Sequence, residues 1–315
     1  MSQTTNQILK SIRRRAMLPD SNSTFSKDDL LDMVDEELRY FAVPHILQSK
    51  EDFLVDYVDY PLNDTGIYDI PYRAIGQKLK DVYLLTSTNA MHETSRINVD
   101  DIAEYQTTYA SGFFGNIFYL QDNQIIFPST ISGNYSKVRV YYFLSPNKLV
   151  DEAKVGKITN IDRNTGIITL SSFPENFANL PEIDFITFKN PNKILDYDIV
   201  PTAVNSNNKT ITFAIADIPD SLSIKDYITQ AQETIVLQLP EEFQHIIAQR
   251  VAVQALESLG DEQNKQGAEK RLEKMEIALT QLVANRVDGA PEKIKPRRSL
   301  LRQSLRSKYY KKGLI

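Results

Sequence analysis

The 315-residue chain is expected to be an α+β protein. A helical unit is built from its N- and C-terminal segments, an antiparallel β domain (sandwich or barrel) is inserted between them, and a C-terminal tail extends beyond. Three observations predict this. Apolar residues recur at helical spacing near both ends of the chain. Between about residues 58 and 238 the texture becomes short β-branched and aromatic runs divided by Gly, Pro, Asn and Asp. The last 25 residues, 291–315, carry nine Lys and Arg against one acidic residue, Glu292. The implied division is a basic segment 1–20, a first helical part 21–57, the β domain 58–238, a helical hairpin 239–290 and the basic tail 291–315.

In "NQILKSIRRRAML", Ile8, Ile12 and Ala16 recur every four residues, one face of a helix. The turn-rich "LPDSNSTF" breaks it. Ser26 and Asp29 then have the spacing of a capping box, and the helix they open carries Leu30, Val34, Leu38 and Phe41 on one face. Pro44 is expected to limit that helix or to begin a short second one, "PHILQSKEDFL". From about Phe53 the runs "DVYLLT", "GFFGNIFYL", "NQIIFPS", "KVRVYYFLS", "GKITNID", "GIITLSS", "DFITFKN", "KTITFAI" and "ETIVLQL" read as strands. "DRNTGI" reads as a hairpin turn with Gly166 free to take positive φ. No helical crossover separates the strands, which points to antiparallel pairing. Pro240 opens the next helix, striped by Phe243, Ile247, Val251 and Ala255 with Ile246 and Leu259 beside them. Gly260 ends it. "LGDEQN" folds the chain back into a helix whose inward residues are Leu272, Met275, Leu279, Leu282 and Val283. "DGAPEKIKP" stops regular structure.

Charge is segregated. The whole chain carries −5. The tail has a surplus of eight positive charges and residues 1–20 a surplus of three, which leaves −16 on the body between. There is no cysteine, so disulfides and thiolate metal sites are excluded. No apolar run approaches the roughly 20 residues needed to span a bilayer. "MSQTTNQILKSIRRR" lacks the apolar segment of a signal peptide. A soluble protein made in the cytoplasm is expected.

Catalytic chemistry finds no foothold. His45, His92 and His245 have no second ligand at metal-binding spacing. "GFFG" at Gly112–Gly115 is not a phosphate cradle, and neither a GxxxxGK[ST] nor a GxSxG motif occurs. Asp28/Asp29, Asp100/Asp101 and Glu241/Glu242 are sequence neighbours that diverge by about 100° on a helix; they suit helix starts. The 16 Tyr and 14 Phe sit mostly in the β region, where aromatic cross-strand pairing explains them. The acidity of that region argues against a stacking platform for single-stranded nucleic acid. No enzyme activity, metal or cofactor is expected.

Three stretches, "YDIPYRAIGQKLKDV", "LPEEFQHIIAQRVAVQALESLGD" and "RVDGAPEKIK", together with "TFSKDDLLDMVDEEL", resemble the head-to-tail connector (adaptor) proteins of tailed bacteriophages. The resemblance is strongest to the ring proteins directly below the portal in crAss-like phages, and it runs over nearly the whole chain. It implies a virion structural protein at the head-tail junction: a ring, commonly of twelve subunits, that joins the portal to the next tail or ring protein. The ring encloses genomic DNA without reading its sequence, contacts no membrane, and is gripped to the portal by a C-terminal segment. It also suggests a ring or loop interface at Pro71, Arg73, Gly76 and Arg286.

The tail can be read beside that resemblance. Arg298, Arg302 and Arg306 fall at i, i+4, i+8, and Leu301, Leu305 and Tyr309 form a parallel apolar stripe, with Pro296 and Ser299 as start signals. Like charges at this spacing cost about 0.2–0.5 kcal/mol per pair, so the tail is expected to order only on a partner. The stripe favours a protein groove. The docking residues are then Arg297, Arg298, Leu301, Arg302, Leu305, Arg306, Lys308, Tyr309, Tyr310, Lys311 and Lys312. The alternative is a nucleic-acid-binding protein whose basic tail holds phosphates.

Overall fold

The computed structural model describes residues 3–19, 24–49, 51–102, 116–128, 131, 134–179, 182–187 and 193–282. Helix α1 (Thr5–Arg15) is capped by Thr4 and Gln7 in a reciprocal box. Helix α2 (Lys27–Glu37) is capped as its sequence suggests: the Asp29 N–H donates to Ser26 Oγ at 3.0 Å and the Ser26 N–H to Asp29 Oδ2 at 2.8 Å. Of the two expectations at Pro44 the second holds: the proline sits in the first turn of a short second helix. A π-helical turn, Leu38–Ala42, runs directly into α3 (Val43–Ser49). Proline lacks an N–H and its ring crowds the carbonyl four residues back; a wider turn just before it absorbs both. Helix α4 (Glu241–Ser258) and helix α5 (Glu262–Leu282) follow the β region. Between them Gly260, at φ +70°, lets the Asp261 N–H reach Leu256 O and the Gly260 N–H reach Glu257 O, a Schellman closure.

The helices share one apolar core. Ile8, Leu9 and Ile12 of α1, Leu30, Leu31 and Val34 of α2, Phe243, Ile246, Ile247 and Val251 of α4 and Leu279 of α5 belong to a single buried cluster. Residues more than 200 positions apart thus bury each other. Helix α4 is buried around most of its circumference, whereas α5 touches it through the narrow stripe Ala268, Leu272, Met275 and Leu279. Leu259, expected inward, is 40% exposed because it caps α4 at the turn. Val283 lies outside the described residues. Leu279→Ala is expected to destabilise the whole unit by about 2–5 kcal/mol, read as one cooperative shift in a urea titration. A separate early transition confined to helical signal would contradict a shared core.

Strands β1 (Val55–Pro61), β3 (Ala74–Thr86), β4 (Met91–Glu93) and β8 (Tyr135–Leu144) form one sheet, in the order β1-β8-β3-β4. Strands β2 (Ile67–Asp69), β5 (Ser95–Arg96), β6 (Ile117–Gln121) and β7 (Gln124–Ile126) form a second, in the order β2-β7-β6-β5. The two close on a common core of Tyr68, Phe118, Ile125 and Phe127 with Val82, Leu84, Val138 and Val140. The remainder builds a wholly antiparallel seven-stranded sheet. Its strands are β10 (Gly156–Asp162), β11 (Ile167–Leu170), β12 (Ile183–Thr187), β13 (Lys193–Ile199), β14 (Ala203–Asn205), β15 (Thr210–Thr212) and β16 (Tyr227–Gln230). A separate core around Phe177, Phe185 and Phe213 fills it. The β region therefore holds two principal cores where the strand texture suggested one domain.

Two short pairs are parallel: β5 with β6, and β9 (Lys148–Leu149) with β17 (Glu233–Thr234). "ETIVLQL" is a strand only over β17. Beyond it the N-terminus supplies the partner: the Thr5 N–H donates to Ile235 O at 2.9 Å and the Leu237 N–H to Gln3 O at 3.0 Å. "NVDDIAEY" opens as one 3-10 turn, Val99–Asp101.

Candidate functional site

The polar centre of the molecule is Arg73, which the sequence places beside a loop interface and the fold turns inward. Its side chain is 4% exposed. The guanidinium Nε donates to Asp198 Oδ2 at 2.7 Å, Nη1 to Asn147 Oδ1 at 2.8 Å, and Nη2 to both oxygens of Asp184 at 2.9 and 3.0 Å. Nη2 also reaches Asp198 Oδ1, which the Tyr72 hydroxyl shares. Its plane lies near the rings of Tyr197 and Tyr72, 4.8 and 5.6 Å from their centroids.

Asp184 is fully buried in β12, between Ile183 and Phe185. Such a carboxylate survives only if its acceptor sites are filled. They are: besides Arg73, the Asn147 side-chain amide donates at 2.6 Å, the Asp198 N–H at 3.0 Å and the Gln232 N–H at 3.2 Å. Asp198 and Gln232 both have positive φ, 58° and 66°. Two non-glycine residues are thus held in the left-handed region where they serve Asp184. Asn147 continues the network: its side-chain amide donates to Glu233 O at 3.1 Å and its backbone N–H donates to Gln238 Oε1 at 2.6 Å. The knot therefore joins the segment before β3, the β8–β9 connection, β12, β13, the β16–β17 turn and the chain leading into α4. One guanidinium ties the seven-stranded sheet, the other β core and the approach to the helices.

Burial acts to lower the Arg73 pKa, but Asp198 and Asp184 outweigh it and raise it. Burial pushes Asp184 upward against the pull of Arg73. Burial and the hydrogen bond to Asp198 push the Tyr72 phenol up to about 12. Two further half-buried carboxylates, Asp56 and Asp196, are also raised by desolvation, and each accepts the N–H of its own next residue. One cation thus faces an anionic surplus. A raised carboxyl pKa means that the folded state holds its proton more tightly than the unfolded one. Stability from these two groups therefore rises as pH falls through the raised pKa towards the unfolded value, and is lacking above it. Asp56→Asn and Asp196→Asn are expected to raise the melting temperature at pH 7 and to lose that advantage progressively towards pH 4. An advantage that persists unchanged at pH 4 would refute the electrostatic account.

Beside the knot lies a cavity of about 580 Å3, lined by Arg39 and Val43 and by residues 72–76, 145–148 and 231–233. Glu233 lines it, with one carboxylate oxygen buried and unpartnered. Among the described residues its lining holds no histidine or cysteine. Among the described residues no group of His, Cys, Asp or Glu could hold a metal ion. His45 packs on Phe41, His92 stacks edge-on against Tyr135, and His245 meets Gln3. Of the adjacent carboxylate pairs, Asp29 caps α2 and Asp28 pairs with Lys154 at 3.4 Å. The arrangement clamps and orients.

Of the loop residues singled out in the sequence, Pro71 is half-buried and Gly76 exposed. Gly76 (φ +52°) sits where β3 bulges, the register jumping from Ala74↔Leu144 to Leu79↔Tyr142. Arg73 itself has no surface to offer a neighbour. Arg286 and all the tail residues lie outside the described residues. Sequence reading missed Asn147, Asp184, Tyr197 and Asp198. One signal was present: an aspartate inside the apolar strand "IDFIT" demands a buried cation.

No protein-family model matches the chain, and no curated protein is found to be similar to it. Among the described residues, no helix is long and apolar enough to cross a membrane.

Proposed function

We propose that the chain is a structural subunit of a phage head-to-tail adaptor. About twelve copies form a ring that joins portal to tail and encloses the DNA channel, anchored to the portal by residues 291–315. The helices from the two chain ends form the ring-building unit, and the β cores between them project from it. The observation that carries the reading is the shared core of α1, α2, α4 and α5, of which α2 and α4 lie in the stretches whose sequence resembles connectors. A subunit under load at a junction needs rigid internal geometry, and a clamp such as the Arg73 knot supports that. The segregated charge fits too, with a basic tail for docking and an acidic body past which DNA slides.

The test is a truncation after Ala290 beside a Leu301→Ser/Leu305→Ser double variant, each assayed against purified portal rings and duplex DNA. The adaptor reading expects the truncation to abolish portal docking and the double variant to weaken it severely, with Arg298, Arg302 and Arg306 pairing with portal carboxylates. Buried Arg and aromatic anchors dominate such interfaces. A truncated chain that still docks overturns the anchor. Intact docking by the double variant, with DNA affinity falling steeply with salt, transfers the tail to the nucleic-acid alternative.

A further inference from the structure

The surface of the helical unit carries two opposite patches. The first begins at Met17. This residue follows the C-cap of α1, with the Leu18 N–H donating to Arg13 O at 2.9 Å, and takes φ +54°. The position favours glycine. A methionine here is strained, and it stands 73% exposed. Around it α1 has no acidic residue at all, and Lys10 and Arg14 point outward. Arg15 is held by neutral partners: Nε donates to Ser11 Oγ at 3.2 Å, and Nη1 to Gln249 Oε1 at 2.7 Å and towards Met275 Sδ at 3.9 Å. Arg271 of α5 lies close enough, with Arg14, to depress the Arg15 pKa further after burial has done so. Among the described residues none of Arg14, Arg15 and Arg271 has a carboxylate partner. Basic residues at a helix C-terminus suit its dipole, but Arg271 comes from another helix, where that reason does not apply.

Helix α5 is itself divided. Helical spacing puts Lys270, Arg271 and Lys274 on one flank and Glu269, Glu273 and Glu276 on the other. Arg15 reaches the basic flank. Arg250 joins the acidic flank to α2, donating to Glu276 Oε1 at 2.6 Å and to Glu37 Oε2 at 2.5 Å. On that side α2 presents Asp32 and Glu36, and the π-helical turn that follows presents Tyr40, at four-residue spacing; Tyr40 is 83% exposed. Asp32 meets Lys148 at 2.7 Å in an exposed pair, which is worth little. Among the described residues Glu36 has only the Gln254 amide, at 3.4 Å.

We propose that these patches are the two halves of a head-to-tail contact between copies of this chain: Met17, Arg14, Arg15 and Arg271 of one copy seat on Tyr40, Glu36 and Asp32 of the next. The inference rests on the ring-forming reading and names its interface. A basic surface ending in a bare methionine complements an acidic one ending in a bare tyrosine, by charge and by the affinity of thioether for aromatic ring. The patches sit on opposite flanks of α5, so the contact is heterologous. Repetition then closes a ring or runs on as a filament. The strained Met17 has its reason here, since the αL turn throws the side chain outward.

The chain has no cysteine, which makes the test direct. Full-length Met17→Cys and Tyr40→Cys are mixed and oxidised, alone and on portal rings. The expected product is the mixed disulfide dimer, well in excess of either homodimer. Placing Arg14→Glu/Arg271→Glu on the first variant cuts its yield about tenfold or more, and adding Asp32→Arg/Glu36→Arg to the second restores it. All six substituted positions are exposed, so folding is not at stake. Statistical mixing of homo- and heterodimers, or a mixed dimer insensitive to charge reversal, overturns the interface. Rings that assemble on portals without the mixed disulfide also overturn it while leaving the adaptor reading standing. Chains that neither dock on portals nor cross-link remove both.

Discussion

Arg73→Ala is expected to cost about 3–5 kcal/mol of folding stability, the range found when one partner of a buried ion pair is removed. The cause is what remains. Asp184, 0% exposed, keeps three neutral donors but loses its cation, and Asp198 loses two contacts. Lysine cannot substitute, because one ammonium cannot address Asn147, Asp184 and Asp198 with a planar fork. The diagnostic comparison is Arg73→Ala with Asp184→Asn. The double variant should lose less than Arg73→Ala alone, since the stranded charge is gone and Asp198 is solvated enough to stand alone. Urea titrations followed by circular dichroism read both. Equal losses in the single and double variants would instead assign the energy to packing of the guanidinium against Tyr197. Because the knot ties segments from β3 to the approach to α4, the transition is expected to remain a single one.

Gly166→Ala should be the most damaging single-methyl change, at about 3 kcal/mol, from a left-handed backbone cost of roughly 1–2 kcal/mol plus a collision. Gly166 takes φ +72° in the β10–β11 hairpin, and an added Cβ would stand 2.2 Å from Phe213 O. That carbonyl cannot retreat easily. The Phe213 N–H donates to Gly166 O at 2.9 Å, and the Phe213 ring packs 5.2 Å from Phe185 in the core of the seven-stranded sheet. Gly76→Ala is the control: its φ is +52° but no atom lies within 4 Å of the added carbon. It should cost only the conformational part, about 1 kcal/mol. Melting curves of the two variants separate strain from collision, and equal shifts would mean that the hairpin yields.

What could be read in the sequence was what short-range physics decides. The capping box at Ser26 and Asp29, the stripes Ile8/Ile12/Ala16 and Phe243/Ile247/Val251, the Gly260 stop and the Gly166 turn each depend on residues within a few positions of one another. Strand texture located most of the sheet for the same reason, since alternation is local. "ETIVLQL" was misread over Ile235–Leu237 because its partner is the N-terminus, which no local pattern reveals. At Pro44 two readings were open locally, a limit or a short second helix; Val43–Ser49 is that second helix, joined to the first by a π-helical turn and anchored by Ile46 in the helical core.

The tertiary structure alone decided how the β region divides between two cores and where Arg73 points. The resemblance suggests a ring or loop interface at Arg73. The guanidinium goes inside because Asp184 and Asp198, more than 100 residues later, meet it there. A buried charge is tolerable only beside its partner, and the partner's position is a property of the fold. The composition already disclosed the surplus of acid in the body and of base at both ends. Only the packing of α1 and α5 against α4 gathers part of that base into one patch, opposite the acid of α2. Coulomb forces act over distances in space, and spacing along a chain does not set those distances.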